Sequence, residues 1–98
     1  MREIKRIGVL GGGAWGTALA RLLDEGGRRV TLWARDIAVV RTINGSHANP
    51  NYLPDVDLPP TLRATDILPE LAAASDAVLL AVGPVDKEKA AAKKGGKK

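Results

Sequence analysis

Short apolar runs alternate along this chain with stretches whose apolar residues recur every three or four positions. The runs predict strands at Lys5–Leu10, Val30–Trp33, Thr61–Thr65 and Ala77–Val82. The helical spacing predicts helices at Trp15–Glu25, Ile37 to about Ile43 before Asn44-Gly45, and Ile67–Ala74. This alternation indicates an α/β fold, βαβαβαβ, with an incomplete doubly wound parallel sheet of strand order 3-2-1-4. The fourth run is apolar throughout, as is typical of a strand buried on both faces.

Glycines crowd the junction between the first strand and the first helix. Gly11, Gly13 and Gly16 fit the G-x-G-x-x-G pattern, which needs a strand before it and a helix after it. The first glycine permits a tight turn, the second lets the backbone approach a pyrophosphate, and the third lets helix and strand pack closely. The N–H groups that open the helix favour an anion. We therefore predict a Rossmann-type dinucleotide-binding domain, the alternative being a glycine-rich turn in an ordinary α/β domain.

The residues after the second strand bear on the choice between NADP and NAD. An NAD site usually has an acidic residue at this strand end, where it bonds the ribose 2′-hydroxyl. Ala34 cannot form that bond, and the guanidinium of Arg35 suits a 2′-phosphate. The sequence therefore favours NADP, while Asp36 as a cofactor-binding residue keeps NAD open. Arg35 and Asp36 also fit a simpler interpretation, a solvated loop pair with an N-cap.

The long stretch between the second helix and the third strand, residues 46–60, contains several prolines. A loop of this length in a compact domain is often functional or mobile. Tyr52 either contacts the site or pins the loop to the body, and pinning is favoured; Trp15 either joins the core or lies against the cofactor. His47 is the single histidine and there is no cysteine. We therefore predict no disulfide and no metal site, and we assign no catalytic residue.

The positive charge of the chain is concentrated at one end. The net charge is +4, and residues 85–98, with six lysines against Asp86 and Glu88, account for all of it. Because residues 1–84 are neutral overall, no nucleic-acid-binding face is predicted. We divide the chain into a dinucleotide-binding domain, residues 1–84, and a lysine-rich tail, 85–98, expected to be disordered. No apolar run reaches the ~18 residues of a membrane span, and a cytoplasmic location is expected.

Three segments together resemble one enzyme family. Similar segments in bacterial NAD(P)-dependent glycerol-3-phosphate dehydrogenases form the phosphate turn, the end of the second strand and a following loop. In this chain they are Gly-Gly-Gly-Ala-Trp-Gly-Thr-Ala at 11–18, Val-Thr-Leu-Trp-Ala-Arg-Asp at 30–36, and Asn-Pro-Asn-Tyr-Leu-Pro at 49–54 with Leu58-Pro59. The resemblance extends from about Ile4 to Val82.

The resemblance implies the N-terminal part of an enzyme that reduces dihydroxyacetone phosphate to sn-glycerol 3-phosphate with NAD(P)H, a step towards phospholipids. It implies cofactor contacts from the backbone of residues 11–16 and from Ala14, Trp15 and Arg35, with Ala14 where the family often has Ser. The catalytic lysines and the substrate domain of the family lie beyond the matched part. The isolated chain is therefore expected to bind a dinucleotide without catalysis, and dihydroxyacetone phosphate only when the missing domain is present.

Two other functions and one interaction stay open at this point. The chain also fits a non-catalytic NADP-binding module, or an engineered or truncated structural fragment. In the family the sequence after the fourth strand usually continues Val-Pro-Ser, whereas here Gly83-Pro84-Val85-Asp86 leads into the lysine-rich tail. The fourth strand is thus expected to lack its usual neighbour and to present an apolar edge for self-association.

Overall fold

The fold is a four-stranded parallel sheet with connecting helices, and the computed structural model describes residues 4–81. The elements in chain order are β1 (Arg6–Leu10), α1 (Ala14–Glu25), β2 (Arg29–Trp33), α2 (Ile37–Ser46), β3 (Arg63–Thr65), α3 (Leu68–Ala73) and β4 (Ala77–Leu80). The strands pair in the order β3-β2-β1-β4, every pair parallel, which confirms the predicted order. The predicted tail, 85–98, lies outside the described residues. Within them, no helix is long and apolar enough to cross a bilayer.

The core is aliphatic and surrounds the two central strands. Val9 in β1 and Val30 and Leu32 in β2 have no exposed surface, and Ile43 of α2 and Leu62 before β3 are equally buried. Central parallel strands are covered on both faces, which explains why β1 and β2 read as nearly continuous apolar runs. The two strands therefore form a fixed platform, and their carboxyl ends carry the glycine turn and residues 34–36.

β4 departs from the prediction that it would be buried on both faces. It pairs with β1 along one edge, and within residues 4–81 no strand pairs with its other edge. Val78, Leu79 and Leu80 are consequently 39–69% exposed. The apolar sequence indicated correctly that this segment forms a strand, but burial also depends on a neighbouring element that the described part of the chain does not provide.

Helix α2 extends beyond its predicted end at Asn44-Gly45. It ends at Ser46, and His47 follows in the left-handed conformation, with φ 54° and ψ 48°. Asn44 remains helical because its side chain bonds the backbone of Ala64 in β3. Its Nδ2 donates to the Ala64 carbonyl at 2.9 Å, and its Oδ1 accepts from the Ala64 N–H at 2.8 Å. These two hydrogen bonds fix the position at which the 46–60 loop leaves α2.

An ion pair joins the amino end of β1 to the residue before β4. The Nε and Nη2 of Arg6 donate to the carboxylate of Asp76 at 3.2 and 2.9 Å, and the Arg6 backbone N–H donates to it at 3.0 Å. The side-chain hydrogen bonds from Arg6, followed by its backbone hydrogen bond, lower the pKa of Asp76 to about 2. The charged carboxylate therefore contributes to holding β4 in the sheet.

We expect Asp76→Asn to lower the stability of the chain near neutral pH, with an effect that shrinks in acid. A carboxyl group whose pKa is lowered by folding stabilises the fold fully above its ordinary pKa of 3.8, and this contribution is lost as the pH falls through about 2. Urea unfolding of both proteins between about pH 2 and pH 7 measures the difference. Asp57→Asn, at an exposed acid in the loop, is the control. A difference that stays constant with pH would contradict this explanation.

Candidate dinucleotide-binding site

The glycine turn lies at the carboxyl end of β1, where the motif places it. β1 ends at Leu10, and α1 begins after Gly13, which occupies the N-cap position. Gly11 has a φ of +133°, a backbone conformation that L side chains rarely adopt. Its N–H donates to the carbonyl of Trp33 at 2.9 Å. The turn is therefore attached to the end of β2 as well as to β1.

Two of the motif glycines have opposite surroundings. A Cβ added to Gly16 would overlap the carbonyl oxygen of Gly11, so only glycine lets α1 pack this closely against the turn. A Cβ added to Gly13 would meet no atom within 4 Å. Bare backbone beside open space is what the close approach of a pyrophosphate requires. The turn thus fits the group that the motif predicts.

The first turn of α1 offers N–H groups at the same place. Thr17 is the first residue whose N–H is bonded to the preceding turn, at 2.9 Å from the carbonyl oxygen of Gly13. The N–H groups of Ala14, Trp15 and Gly16 consequently have no acceptor within the helix. No acidic residue lies in this first turn. Both features favour an anion at the start of the helix.

A cleft of about 590 Å³ opens beside the carboxyl ends of β1 and β2. Gly12 and Gly13 line it from the turn, Arg35 and Asp36 from the end of β2, and Tyr52 from the 46–60 loop. In a dinucleotide-binding fold the pyrophosphate lies at the turn and the adenosine ribose at the end of the second strand. The cleft therefore joins the two positions that such a ligand must reach at once.

Apart from Gly11 and Gly16, described above, the site residues predicted from sequence fall into two groups by their place relative to the cleft. Gly13, Arg35 and Asp36 line the cleft. Ala14 and Trp15 lie beside it at the start of α1, and Trp15 is 52% exposed, which excludes the core as its place. The Oδ1 of Asp36 accepts the N–H of Ala38 at 2.9 Å, as the N-cap interpretation expected.

Asn49 is a site residue that the sequence reasoning missed. Its side chain is buried, and its Nδ2 donates to the carbonyl oxygen of Gly12 at 3.0 Å and to the Oγ1 of Thr17 at 2.8 Å. It therefore attaches the 46–60 loop to the glycine turn, a role that the prediction gave to Tyr52. Tyr52 instead lines the cleft with half of its surface exposed. The available signal was the resemblance of residues 49–54 to a family loop.

A larger cleft, of about 690 Å³, lies at the opposite end of the sheet and is lined by Lys5, Arg6 and Arg28 among others. Ligands of open parallel sheets bind beyond the carboxyl ends of the strands, and this cleft faces the amino ends. We therefore assign the site to the smaller cleft beside the glycine turn. No group of three or more metal-ligating side chains is assembled among residues 4–81.

Comparisons with known proteins agree on one family. Residues 6–95 match the family model for the N-terminus of NAD-dependent glycerol-3-phosphate dehydrogenase. Glycerol-3-phosphate dehydrogenase (NAD(P)+) of Rhodospirillum rubrum is 54% identical over 77 residues, which are 79% of this chain and 22% of that protein. The same enzyme of Paramagnetospirillum magneticum is 53% identical over 90 residues, 92% of this chain and 32% of that protein.

The fold is similar to that of a solved member of the same family. The crystal structure of glycerol-3-phosphate dehydrogenase from Coxiella burnetii superimposes with a TM-score of 0.71 at 35% identity, covering 76% of this chain and 23% of that chain. The chain thus spans about a fifth to a third of the length of the relatives that it matches. The family match includes residues 82–95, so the domain boundary at residue 84 stays a prediction.

Proposed function

Because the chain belongs to the NAD-dependent glycerol-3-phosphate dehydrogenase family and contains its N-terminal nucleotide-binding region, we propose that it binds NADP in preference to NAD in the cleft beside the glycine turn. The observation that carries the proposal is the open space over Gly13, next to the N–H groups that begin α1. In this assignment Gly11–Gly16 hold the pyrophosphate, and Arg35 and Asp36 face the adenosine ribose.

The preference for NADP rests on what surrounds the ribose end of the cleft. Ala34 has no polar side-chain atom, and one carboxylate oxygen of Asp36 already caps α2. Arg35 is exposed, lines the cleft, and makes no hydrogen bond or ion pair with any other residue among those described. A guanidinium in this position is well suited to pair with a 2′-phosphate, because its N–H groups match the phosphate oxygens.

We expect the native chain to bind NADPH more tightly than NADH, and Arg35→Ala to remove the difference. Loss of a charge-assisted hydrogen-bonded pair should weaken NADPH binding about tenfold and leave NADH binding within about twofold. Isothermal titration calorimetry, with the fluorescence of Trp15 and Trp33 as a second signal, measures both affinities. Arg41→Ala, at an exposed arginine of α2 away from the cleft lining, is the matched control.

Two outcomes of this titration would contradict different parts of the proposal. Tighter binding of NADH than of NADPH by the native chain would contradict the proposed pairing of Arg35 with the 2′-phosphate. It would indicate that Asp36 binds the ribose instead. Failure to bind either dinucleotide at millimolar concentration would remove the function itself and would favour a structural fragment. A micromolar affinity for NADPH would instead favour the alternative of an NADP-binding module over part of an enzyme.

We also propose that the chain holds the dinucleotide for the reduction of dihydroxyacetone phosphate, in a cytoplasmic enzyme, and does not catalyse this step alone. The dinucleotide supplies the hydride, while the ketone must be held against the nicotinamide beside a proton donor. The cleft residues assigned above supply neither the donor nor a second phosphate site. Dihydroxyacetone phosphate added to the NADPH sample is therefore expected to leave the NADPH absorbance constant, and its decrease would identify a missed catalytic residue.

We further propose that the exposed edge of β4 associates with a second copy of the chain. An edge strand presents unpaired backbone groups, and here exposed apolar side chains accompany them. Sedimentation velocity should show a concentration-dependent dimer that Leu80→Lys shifts towards monomer. Leu22→Lys on α1 is the control, because Leu22 and Leu80 are 67% and 69% exposed. A native chain that remains monomeric at all concentrations would contradict this proposal.

A further inference from the structure

A chain of three hydrogen bonds connects the 46–60 loop to the glycine turn, and we name it the clasp. The Nδ2 of Asn49 donates to the carbonyl oxygen of Gly12 at 3.0 Å and to the Oγ1 of Thr17 at 2.8 Å. The Thr17 hydroxyl donates in turn to the carbonyl oxygen of Gly13 at 2.7 Å. Asn49 is 2% exposed and Thr17 is fully buried, so water does not compete for these bonds.

The loop holds Asn49 in place independently of any ligand. The carbonyl oxygen of Asn49 accepts the N–H of Tyr52 at 3.1 Å and the N–H of Leu53 at 2.7 Å, and Asn49 and Leu53 form an antiparallel bridge. The carbonyl oxygen of His47 accepts the N–H of Leu58 at 2.8 Å, which closes the loop around this bridge. The hydrogen bonds within the 46–60 loop therefore position the Asn49 amide against the glycine turn.

The clasp fixes the orientation of the peptide unit between Gly12 and Gly13. The C=O and N–H of a trans peptide point in opposite directions, and the described chain contains no cis peptide. With the Gly12 carbonyl held towards Asn49, the Gly13 N–H points away from the Asn49 side chain. Glycines have little conformational preference of their own. Without the Asn49 amide, the Thr17 hydroxyl at 3.4 Å is the remaining side-chain donor to the Gly12 carbonyl oxygen, so this peptide is held less firmly and its carbonyl oxygen can turn more easily towards a bound phosphate.

We propose that Asn49 is a positioning residue for the pyrophosphate: it holds the Gly12 carbonyl away from the phosphates and presents the Gly13 N–H to them. The inference rests on the proposed dinucleotide function and extends it to a residue outside the glycine motif. The burial supports it, because an amide removed from water destabilises the fold unless its hydrogen bonds are made. Here the buried Asn49 amide donates one of its hydrogen bonds to the glycine turn itself.

Adenosine and adenosine 5′-diphosphate (ADP) test this role, because they differ only in the diphosphate. Both are titrated into the isotope-labelled chain and followed by amide NMR spectra, which also report whether each variant is folded. Asn49→Ala is expected to weaken ADP binding about tenfold and to leave adenosine binding within about twofold, since only ADP needs the oriented turn. Asn51→Ala, at an exposed asparagine of the same loop, should change neither affinity.

A second pair of variants tests the clasp from α1. Thr17→Val removes the hydroxyl that receives the Asn49 amide and should reduce the preference for ADP over adenosine. Thr17→Ser keeps that hydroxyl and should preserve the preference. If Asn49→Ala does not fold, the two Thr17 variants still test the proposal. The ratio of the ADP affinity to the adenosine affinity is compared only among variants that the NMR spectra show to be folded.

The outcomes separate this inference from the proposed function. If the native chain prefers ADP and the variants that remove the clasp keep the same preference, Asn49 only anchors the loop and the inference is overturned. If the native chain binds ADP no better than adenosine, the dinucleotide site itself is wrong, and the inference falls with it.

Discussion

Gly16→Ala is expected to destabilise the chain by at least about 3 kcal/mol, at or beyond the upper end of the usual range for overpacking, and to abolish dinucleotide binding. The added Cβ would overlap the carbonyl oxygen of Gly11. This oxygen belongs to the backbone of the turn, so it cannot move away as a flexible side chain could. A small domain has little stability in reserve, and urea unfolding followed by circular dichroism should show a large loss or an unfolded chain.

Gly45→Ala is the matched control for this substitution. Gly45 lies within α2, and a Cβ built on it meets no atom within 4 Å. Alanine is the better helix former, so this variant should be unchanged or more stable by about 0.5–1 kcal/mol. An equal loss of stability in both variants would contradict the steric explanation.

Gly13→Ala is expected to leave the fold intact and to weaken NADPH binding at least about tenfold, because a methyl group would occupy the space assigned to the pyrophosphate. Gly13 has φ −77° and ψ −168°, an extended conformation open to any residue, and its Cβ would meet no atom within 4 Å. The free energy of unfolding should therefore change by no more than about 0.5 kcal/mol.

The affinity for adenosine, which has no phosphate, is the internal control for Gly13→Ala and should stay the same. An unchanged NADPH affinity would show that the pyrophosphate lies elsewhere, and the site would have to be reassigned. Together, Gly16→Ala and Gly13→Ala separate the packing role of the motif at Gly16 from the ligand-binding role that we propose for Gly13.

The fold could be predicted because local patterns determine most of it. The bounds of β1, α1 and β2 were predicted to within one residue, since apolar runs and glycines mark them directly. The strand order follows from parallel connections that are short and right-handed. The burial of β4 could not be predicted in the same way. An apolar run indicates that a strand tolerates burial and says nothing about whether a neighbour is present.

Site residues could be predicted from the sequence where the role depends on the type of residue. They could not be predicted where the role depends on a contact with a residue far away in the sequence. The roles proposed for Gly13, Gly16 and Arg35 depend on properties that the sequence shows directly: a missing side chain at the two glycines and a planar cation at the arginine. Asn49 lies 32 positions from Thr17, and Asn44 lies 20 positions from Ala64. In isolation an asparagine favours turns and helix ends, which is why the residue type alone did not indicate these two tertiary contacts.

The hydrogen bond from Gly11 to Trp33 continues the pairing of β1 with β2 one residue beyond Leu10. In the proposed assignment, the separation between the turn that binds the pyrophosphate and the residues that face the ribose is therefore set by the interstrand spacing of about 4.8 Å, which side chains in the loops do not alter. If this assignment is correct, single substitutions at residues 34–36 can change the preference for NADP or NAD without altering the geometry of the glycine turn. Because the spacing between β1 and β2 fixes this distance, phosphate binding and the choice of dinucleotide can evolve separately.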